Sequence, residues 1–279
     1  MSGAATEGAE VRRVQRLIEG WRLELAGDVE QQIAALLEPL LAAGLLPHNH
    51  ESVDAILLGE QYHLGGAEDT RRMAELVRLT AADRVVDLAC YVGGPARQLA
   101  RDYGCTVVGV DISPVHVAVA KRLTRLRRSD DKVSFICGSV EAVPLPDTSF
   151  TVAWSQCTFP ADLSWMREIT RLLVPGGRVA FTGIIRRAAS RDPGLLSLDE
   201  VAERVTHMGY RVISAEDISG FDLECGWLPA RRKLEEQEGR YRKLMGDAWV
   251  GKAYQSLHTD IAQWQSGEMG DGRVVAVKL

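Results

Sequence analysis

The chain has 279 residues, enough for one α/β domain with additional segments. Its 33 basic and 38 acidic residues give a formal net charge of -5, which argues against a nucleic-acid partner because no strong positive field surrounds the fold. No apolar run approaches the roughly 18 residues of a membrane span, and the five cysteines show no C-x-x-C spacing, so we expect a cytoplasmic protein without a membrane partner.

The first predicted elements are helical. Between Glu10 and Leu46 apolar residues recur at three- and four-residue steps, which predicts two amphipathic helices separated near Gly27 or Asp28. Such a pair can serve as a cap over a ligand or as a contact between two copies of the chain. The sequence leaves both alternatives open, the second being a homodimer.

A strand, a glycine turn and a helix follow over residues 84–97. The β-branched run ends at Asp87, and Gly93 and Gly94 supply the turn; the next apolar run ends at Asp111. In dinucleotide-type binding units the glycines let the main chain approach a ligand, and an acid at the tip of the second strand accepts hydrogen bonds from ribose hydroxyls. The spacing therefore predicts a site for a nucleoside-containing ligand.

The remaining elements alternate between strand and helix. They are a helix at 114–127, strands at 133–137, 151–156 and 178–185, a helix at 163–173, a helix at 198–208, a strand at 210–214, a long amphipathic region at 228–265 and a closing strand at 273–279. This order predicts an α/β protein with a doubly wound, mostly parallel sheet. No Cys/His cluster has metal-ligand spacing, so we predict no metal site.

Four motifs resemble those of class I S-adenosylmethionine-dependent methyltransferases. They are Val85-Val-Asp-Leu-Ala-Cys-Tyr-Val-Gly-Gly94, Val108-Gly-Val-Asp-Ile-Ser113, Gly138-Ser-Val-Glu-Ala-Val-Pro-Leu-Pro-Asp-Thr-Ser-Phe150 and Arg171-Leu-Leu-Val-Pro-Gly-Gly-Arg178. The likeness is closest to small-molecule enzymes of the ubiquinone/menaquinone, sarcosine/dimethylglycine and sugar O-methyltransferase type.

The resemblance implies a fold and a division of the chain. The fold is a Rossmann-like sheet of seven strands whose last strand is antiparallel, with a helical cap before it and a helical insertion before the last strand. The expected segments are an N-terminal helical cap and lid at 1–66, the cofactor-binding core at 67–225, and a substrate-cap segment with the closing strand at 226–279.

The resemblance also implies the contacts of the cofactor, S-adenosyl-L-methionine. Asp87 would orient the glycine loop, and Ala89, Tyr91, Gly93 and Gly94 belong to the loop under the methionine portion. Asp111 would bind the ribose. The other implied cofactor residues are Ile112 on the adenine, Ser139 and Val140 at the adenine edge, Gln156 beside the methionine amine, and Gln61 in a lid segment that continues through Tyr62 and His63.

Three segments depart from the pattern of that family: the glycine loop, the residue after Gly138, and the end of the fourth strand. Ala89 and Tyr91 replace two glycines, and a positive φ is disfavoured at a tyrosine. Either the Tyr91 ring swings away to line the active site or it narrows the cofactor pocket. Ser139 stands where an aspartate usually accepts from the adenine amine, and the segment after the fourth strand, Gln156-Cys157-Thr158, lacks a common histidine.

His63 and Tyr62 are the candidate catalytic residues. Histidine is the natural base at neutral pH, and a base is needed only if the acceptor arrives protonated. The alternative is that both residues only pack or hydrogen-bond the lid against the cofactor. His116 is interpreted as a residue of a helix face. The aromatic residues Trp249, Tyr254 and Trp264, near His258, form either a substrate cap or part of the core.

Three functions remain open at this point. The first is methyl transfer to a nitrogen, oxygen or carbon atom of a small molecule, with positioning as the main catalytic effect. The second is a non-methylating reaction, such as a cyclisation or elimination, on the same fold with the cofactor bound. The third is a non-catalytic partner subunit that docks through residues 10–46.

Overall fold

A seven-stranded sheet organises the computed structural model, which describes residues 57–58, 60–126, 131–159 and 162–279. The helical pair expected between residues 10 and 46 lies outside the described residues, so the structure tests neither of the two roles proposed for it. The strands are β1 Arg84–Leu88, β2 Thr106–Asp111, β3 Val133–Cys137, β4 Phe150–Ser155, β5 Leu173–Ile184, β6 Tyr210–Asp217 and β7 Asp271–Lys278.

The strand order is β3-β2-β1-β4-β5-β7-β6, and only the pairings of β7 with β5 and β6 are antiparallel among the described pairs. The predicted Rossmann-like, mostly parallel sheet with an antiparallel last strand is therefore confirmed. Central strands such as β1 are buried along nearly their whole length, whereas the edge strand β6 alternates between exposed residues and residues that, after the buried Tyr210, are only partly buried. This difference follows from helices that cover both faces of the central strands.

Helices flank the sheet and connect its strands. They are α1 Gly66–Leu76, α2 Gly94–Tyr103, α3 Pro114–Leu126, α4 Met166–Leu172, α5 Leu198–His207, the single turn α6 Ser219–Asp222, α7 Leu228–Glu236, α8 Glu238–Met245 and α9 Asp247–Ser266, with a π-helical turn Leu223–Trp227 before α7. No helix in the described part of the chain combines the length and apolarity needed to cross a bilayer.

Local sequence explains where several of these helices begin and end. Helix α5 starts at a capping box, in which the Ser197 hydroxyl accepts the Glu200 N–H and the Glu200 carboxylate accepts the Ser197 N–H. The amphipathic region predicted as 228–265 is divided into α7, α8 and α9, because the chain leaves helical geometry at Gln237 and at Gly246.

Strand β5 begins five residues earlier than the predicted start at 178. It starts at Leu173, directly after α4, and contains the Pro175-Gly176-Gly177 segment. Gly176 has a φ of 73°, and the register between β4 and β5 shifts between Phe150 and Val152. The glycines therefore form an irregularity inside the strand, and they do not precede it as a turn.

The buried side chains form one cluster on each face of the sheet and a third above its carboxyl edge. The third, which we call the cap cluster, contains Leu64, Tyr91, Trp227, Trp264 and their buried neighbours from α3, α7, α8 and α9. The boundaries 1–66, 67–225 and 226–279 stay predictions. The cap cluster shows, however, that the segment after 225 packs directly on the glycine loop.

Candidate cofactor and catalytic site

The carboxyl ends of the parallel strands bring the predicted site residues to one edge of the sheet. Asp87 pairs in register with Gly109 on β2, so Asp87 lies near the carboxyl end of β1 beside Asp111, which ends β2. Strand β7 runs the opposite way, so its first residue, Asp271, reaches the same edge and pairs with Ile184. Open α/β sheets bind ligands at this edge.

The glycine loop adopts the left-handed conformation at glycine and at non-glycine positions. Gly93 has a φ of 76°, but Ala89 has 57° and Tyr91 has 50°. Left-handed backbone costs a non-glycine residue about 1–2 kcal/mol. The loop thus keeps the geometry for which the family uses glycine, in spite of the two substitutions.

The two remaining glycines are required by packing inside the protein. A Cβ atom at Gly93 would lie 2.3 Å from the Phe135 ring, and one at Gly94 would lie 2.1 Å from the Glu60 carbonyl oxygen. Gly93 also precedes the first residue of α2, whose main-chain N–H groups begin at this loop. These glycines therefore pack the loop against β3 and the lid segment, whatever they contribute to a ligand.

The Tyr91 ring packs into the cap cluster and also lines a cavity beside the loop. Its centroid is 4.6 Å from that of Tyr62 and 4.7 Å from that of His116. Only 7% of the residue is exposed. The ring therefore lies between the lid segment and the carboxyl edge of the sheet, and its relation to a bound cofactor stays a prediction.

Asp111 accepts hydrogen bonds from three groups of the protein. Its Oδ2 accepts the Tyr91 main-chain N–H at 2.9 Å, and its Oδ1 accepts the Ser113 N–H at 2.9 Å. His116 Nδ1 lies 3.1 Å from the same Oδ1. The carboxylate is held in place at the tip of β2, where the family resemblance assigns it to the ribose.

Asp87 is a buried carboxyl group with an unsatisfied oxygen. It is 3% exposed, and its Oδ2 has no hydrogen-bond partner among the described residues. Burial, and to a smaller extent the neighbouring carboxylate of Asp111, raises the pKa of Asp87 to about 8. A positively charged ligand group beside Asp87 would remove this penalty.

A cavity of about 20 Å³ separates Asp87 from the lid segment. Its lining residues are Glu60, Tyr62, His63, Asp87, Ala89, Cys90, Tyr91, Pro95 and Gln156. The donor and acceptor chemistry fits S-adenosyl-L-methionine, since Asp87 suits the ammonium group and Asp111 the ribose hydroxyls. The space holds roughly one water molecule, so binding the methionine portion requires Tyr91 or the lid segment to move outward.

His63 is buried, and both of its ring nitrogens lie close to protein groups. Nδ1 is 3.0 Å from the Leu64 carbonyl oxygen, and Nε2 is 3.0 Å from Gln61 Oε1 and 3.2 Å from Thr70 Oγ1. Burial lowers the pKa of His63, although Asp69 at 3.8 Å acts in the opposite direction. With protein groups beside both nitrogens, this buried imidazole ties the lid to α1.

Gln156 joins the lid to the sheet through a buried polar network. Its Nε2 donates to Asp69 at 2.6 Å, and its Oε1 accepts from Trp154 Nε1 at 2.9 Å and from Thr70 at 3.1 Å. Asp69 in turn pairs with Arg273 of β7, and both side chains are 1% exposed. The amide of Gln156 therefore lines the cavity while it is bonded on both sides to protein groups.

The residues predicted for the adenine differ in their exposure. Ile112 is 74% exposed at the end of β2, so its side chain is available for packing on a ligand. The Ser139 hydroxyl accepts the Glu141 N–H at 3.2 Å, and Val140 packs against the core cluster of α4 and β5. Gln61 donates to Gln98 at 2.8 Å, which fixes the lid on α2.

Two features of this edge were not predicted from the sequence. His116, which was interpreted as a residue of a helix face, contacts Asp111 and Tyr91. The signal available in the sequence was its position five residues after Asp111, on the first turn of α3. Asp222 and Asp271 form a buried pair, and burial raises the pKa of both carboxyls. No local pattern predicts that pair, because α6 and β7 are distant in sequence.

The aromatic residues of the C-terminal segment belong mostly to the cap cluster. Trp264 is buried and makes an edge-on contact with Trp227 at 5.5 Å between ring centroids, and Trp249 and Tyr254 pack against the same cluster. The Tyr254 hydroxyl donates to Glu238 at 2.7 Å, whereas His258 is exposed. These contacts favour the core interpretation of the aromatic stripe.

Comparison with known proteins identifies a matched domain and several relatives. A family model described as a methyltransferase domain matches residues 85–177. Glycine/sarcosine/dimethylglycine N-methyltransferase of Actinopolyspora halophila is 32% identical over 219 residues, which cover 72% of this chain and 37% of that protein. 27-O-demethylrifamycin SV methyltransferase of Amycolatopsis mediterranei is 29% identical over 209 residues, 64% of this chain and 76% of that protein.

Solved structures share the fold. The crystal structure of the [4+2]-cyclase SpnF has a TM-score of 0.62 at 24% sequence identity and covers 88% of this chain and 94% of that one. The chain spans only 37% and 55% of the length of the first two curated relatives it matches.

Proposed function

We propose that this chain, which carries a class I S-adenosylmethionine-dependent methyltransferase domain, transfers a methyl group from S-adenosyl-L-methionine to a small-molecule acceptor. The predicted resemblance to the small-molecule members of that family, the enzyme class and the cofactor are confirmed by the matched domain and the relatives. The observation that carries the proposal for the whole protein is the pair of carboxyl groups, Asp87 and Asp111, beside a loop in glycine-type geometry.

In the proposed reaction the protein mainly binds, orients and excludes water. The cofactor, when bound, supplies a methyl group already activated by the positively charged sulfur. Asp111 would hold the ribose and Asp87 the ammonium group, so that the cofactor is fixed on both sides of its sulfonium. Correct alignment of reacting groups can supply as much as about 7–11 kcal/mol of the barrier.

We assign His63 and Tyr62 to closure of the lid over the cofactor. Both nitrogens of His63 lie within hydrogen-bond distance of Gln61, Leu64 or Thr70, which supports a holding role better than proton abstraction. Tyr62 packs against Tyr91 with the two rings tilted by 35°, and it would keep water from the methyl group. A role of His63 as base requires the lid to open first, and it is needed only for an acceptor that arrives protonated.

Transfer of a labelled methyl group tests this function. The full chain is incubated with cofactor labelled on the methyl group and with mixed small-molecule extracts, and labelled products are separated and counted. Label in a product that Asp87→Ala abolishes supports methyl transfer. Bound cofactor with no labelled product in any extract contradicts it.

A non-methylating reaction is the second candidate, and the Tyr91 ring favours it. The cavity beside Asp87 is small because this ring lies between Tyr62 and His116. The [4+2]-cyclase of the same fold gives a precedent for such chemistry on this scaffold. In this case the cofactor would bind and stay unchanged while an unlabelled substrate is cyclised or eliminated.

Residues 10–46 carry the remaining proposals. A homodimer contact through the predicted helical pair is tested by the mass of the full chain in solution, and docking to a partner subunit is the alternative. Light scattering is measured on the full chain and on a variant with Leu36→Glu and Leu40→Glu. A dimer that the variant converts to a monomer supports the contact, and a monomeric full chain contradicts the homodimer.

A further inference from the structure

The imidazole of His116 is bonded to the carboxylate that we assign to the ribose. His116 Nδ1 lies 3.1 Å from Asp111 Oδ1, with side-chain exposures of 15% and 9%. The same carboxylate accepts the main-chain N–H groups of Ser113 and Tyr91. Asp111 therefore has three donors from the protein before a ribose hydroxyl arrives, and His116 is the one whose charge can change.

The hydrogen-bond partner fixes the tautomer of this histidine. A carboxylate can only accept, so the hydrogen of the neutral imidazole is on Nδ1. The other nitrogen, Nε2, is buried and has no partner among the described residues. The ring is also held from the side, since it packs edge-on against Tyr91, which stacks on Tyr62. Protonation at Nε2 is therefore the change available to a ring held in this position.

A carboxylate and a phenol contact the His116 ring. Asp111 faces it from the end of β2, Tyr91 from the glycine loop, and Tyr62 stacks behind Tyr91 from the lid. Asp87 on β1 is close enough to Asp111 for the two charges to repel. In the part of the chain that the structure describes, no lysine or arginine forms an ion pair with Asp87 or Asp111. A proton on His116 therefore adds a positive charge to an otherwise acidic edge.

We propose that His116 is a positioning residue that makes binding of the cofactor depend on pH through Asp111. The neutral imidazole orients the carboxylate and leaves its charge available to a bound cation. The imidazolium offsets that charge and repels the sulfonium, which is attached to the ribose that Asp111 holds. Because the demethylated product has no sulfonium, protonation weakens binding of the cofactor more than binding of the product. The inference rests on the proposed cofactor.

Calorimetry with two ligands tests this role. Kd is measured for S-adenosyl-L-methionine and for S-adenosylhomocysteine between about pH 8 and about pH 5.5, which brackets the ordinary histidine pKa of about 6.5. For the wild-type chain we expect the ratio of the two constants, cofactor over product, to rise by about tenfold as the pH falls. Both ligands carry the same ammonium group, so the ratio cancels the contribution of Asp87.

The variant His116→Gln separates charge from hydrogen bonding. Its amide N–H can still donate to Asp111 but cannot titrate, so the ratio should stay within about twofold over the same range. The control is His207→Gln, an exposed residue of α5, which should keep the wild-type dependence. A wild-type ratio that does not change, or a His116→Gln variant that keeps the dependence, overturns the proposal.

The outcomes also separate this inference from the proposed function. Absence of binding for both ligands contradicts the cofactor assignment itself. Binding of both ligands with a constant ratio refutes only the role of His116.

Discussion

The raised pKa of Asp87 predicts how the stability of the protein depends on pH. The folded-state pKa of about 8 lies above the ordinary value of 3.8. The folded protein therefore keeps a proton that the unfolded chain releases between about pH 4 and about pH 8. The contribution of Asp87 to the free energy of unfolding is therefore largest below about pH 4. It falls by up to about 1.4 kcal/mol per pH unit as the pH rises from about 4 to about 8.

Asp87→Asn removes this dependence while it preserves the shape of the side chain. Between about pH 5 and about pH 8 the wild-type free energy of unfolding should fall relative to the variant by about 4 kcal/mol, as three pH units at that slope give. Urea unfolding followed by tryptophan fluorescence at both pH values, without ligand, measures the difference. Asp222 and Asp271, whose pKa values are also raised, contribute equally to the pH dependence of the wild type and the variant, so their contributions cancel in the difference.

A matched surface variant shows whether the effect belongs to the buried site. Asp199→Asn replaces an exposed carboxylate at the start of α5 and should leave the slope of stability against pH unchanged within about 0.5 kcal/mol. Parallel curves for the wild type and Asp87→Asn would refute the reasoning. Such curves would mean that Asp87 is solvated or already paired with a cation in the folded protein, and that it is not a buried carboxyl group without a partner cation.

Three further predictions concern strain, buried charge and access to the cofactor. Ala89→Gly relieves the strain of a φ of 57° and should change the free energy of unfolding by about 0 to +1 kcal/mol. The control Ala100→Gly, within α2, should lower the free energy of unfolding by about 1 kcal/mol. Equal losses of stability in urea unfolding would argue against strain at Ala89. Arg273→Met leaves the buried carboxylate of Asp69 without its cation and should lower the free energy of unfolding by about 3–5 kcal/mol. The control Arg231→Met breaks an exposed ion pair and should lower it by less than about 0.5 kcal/mol. Similar losses in the two variants would contradict the importance of the buried pair. Tyr91→Gly removes the ring that fills the cavity and should tighten S-adenosylhomocysteine binding at least about threefold by calorimetry; weaker binding would mean that the ring itself contacts the cofactor.

The central strands and the glycine loop were predictable because their signals are local. The β-branched run before Asp87 and the similar run before Asp111 are buried by helices on both faces, so each reads as a short apolar segment ending in an acid. The start of β5 was not predictable in the same way. Pro175 and two glycines usually end an element, but here the strand continues through them as an irregularity in its pairing with β4.

The orientation of site side chains depends on contacts between distant segments. The Tyr91 ring is placed by Tyr62 from the lid and by His116 from α3, and no local pattern encodes that contact. The engaged state of His63 likewise results from α1 and from Gln156 after β4. The sequence could therefore identify which residue types reach this edge, but not which of their polar atoms are already bonded.

Binding of S-adenosylhomocysteine to the wild-type chain and to Asp111→Ala tests the central claim most directly. If the carboxyl edge of the sheet holds a nucleoside through Asp111, calorimetry should give saturable binding for the wild type and a loss of about 10²-fold or more in the variant, as for a buried charge-assisted hydrogen-bond pair. Equal affinity of the two proteins, or no heat of binding to the wild type at about millimolar ligand, would contradict it.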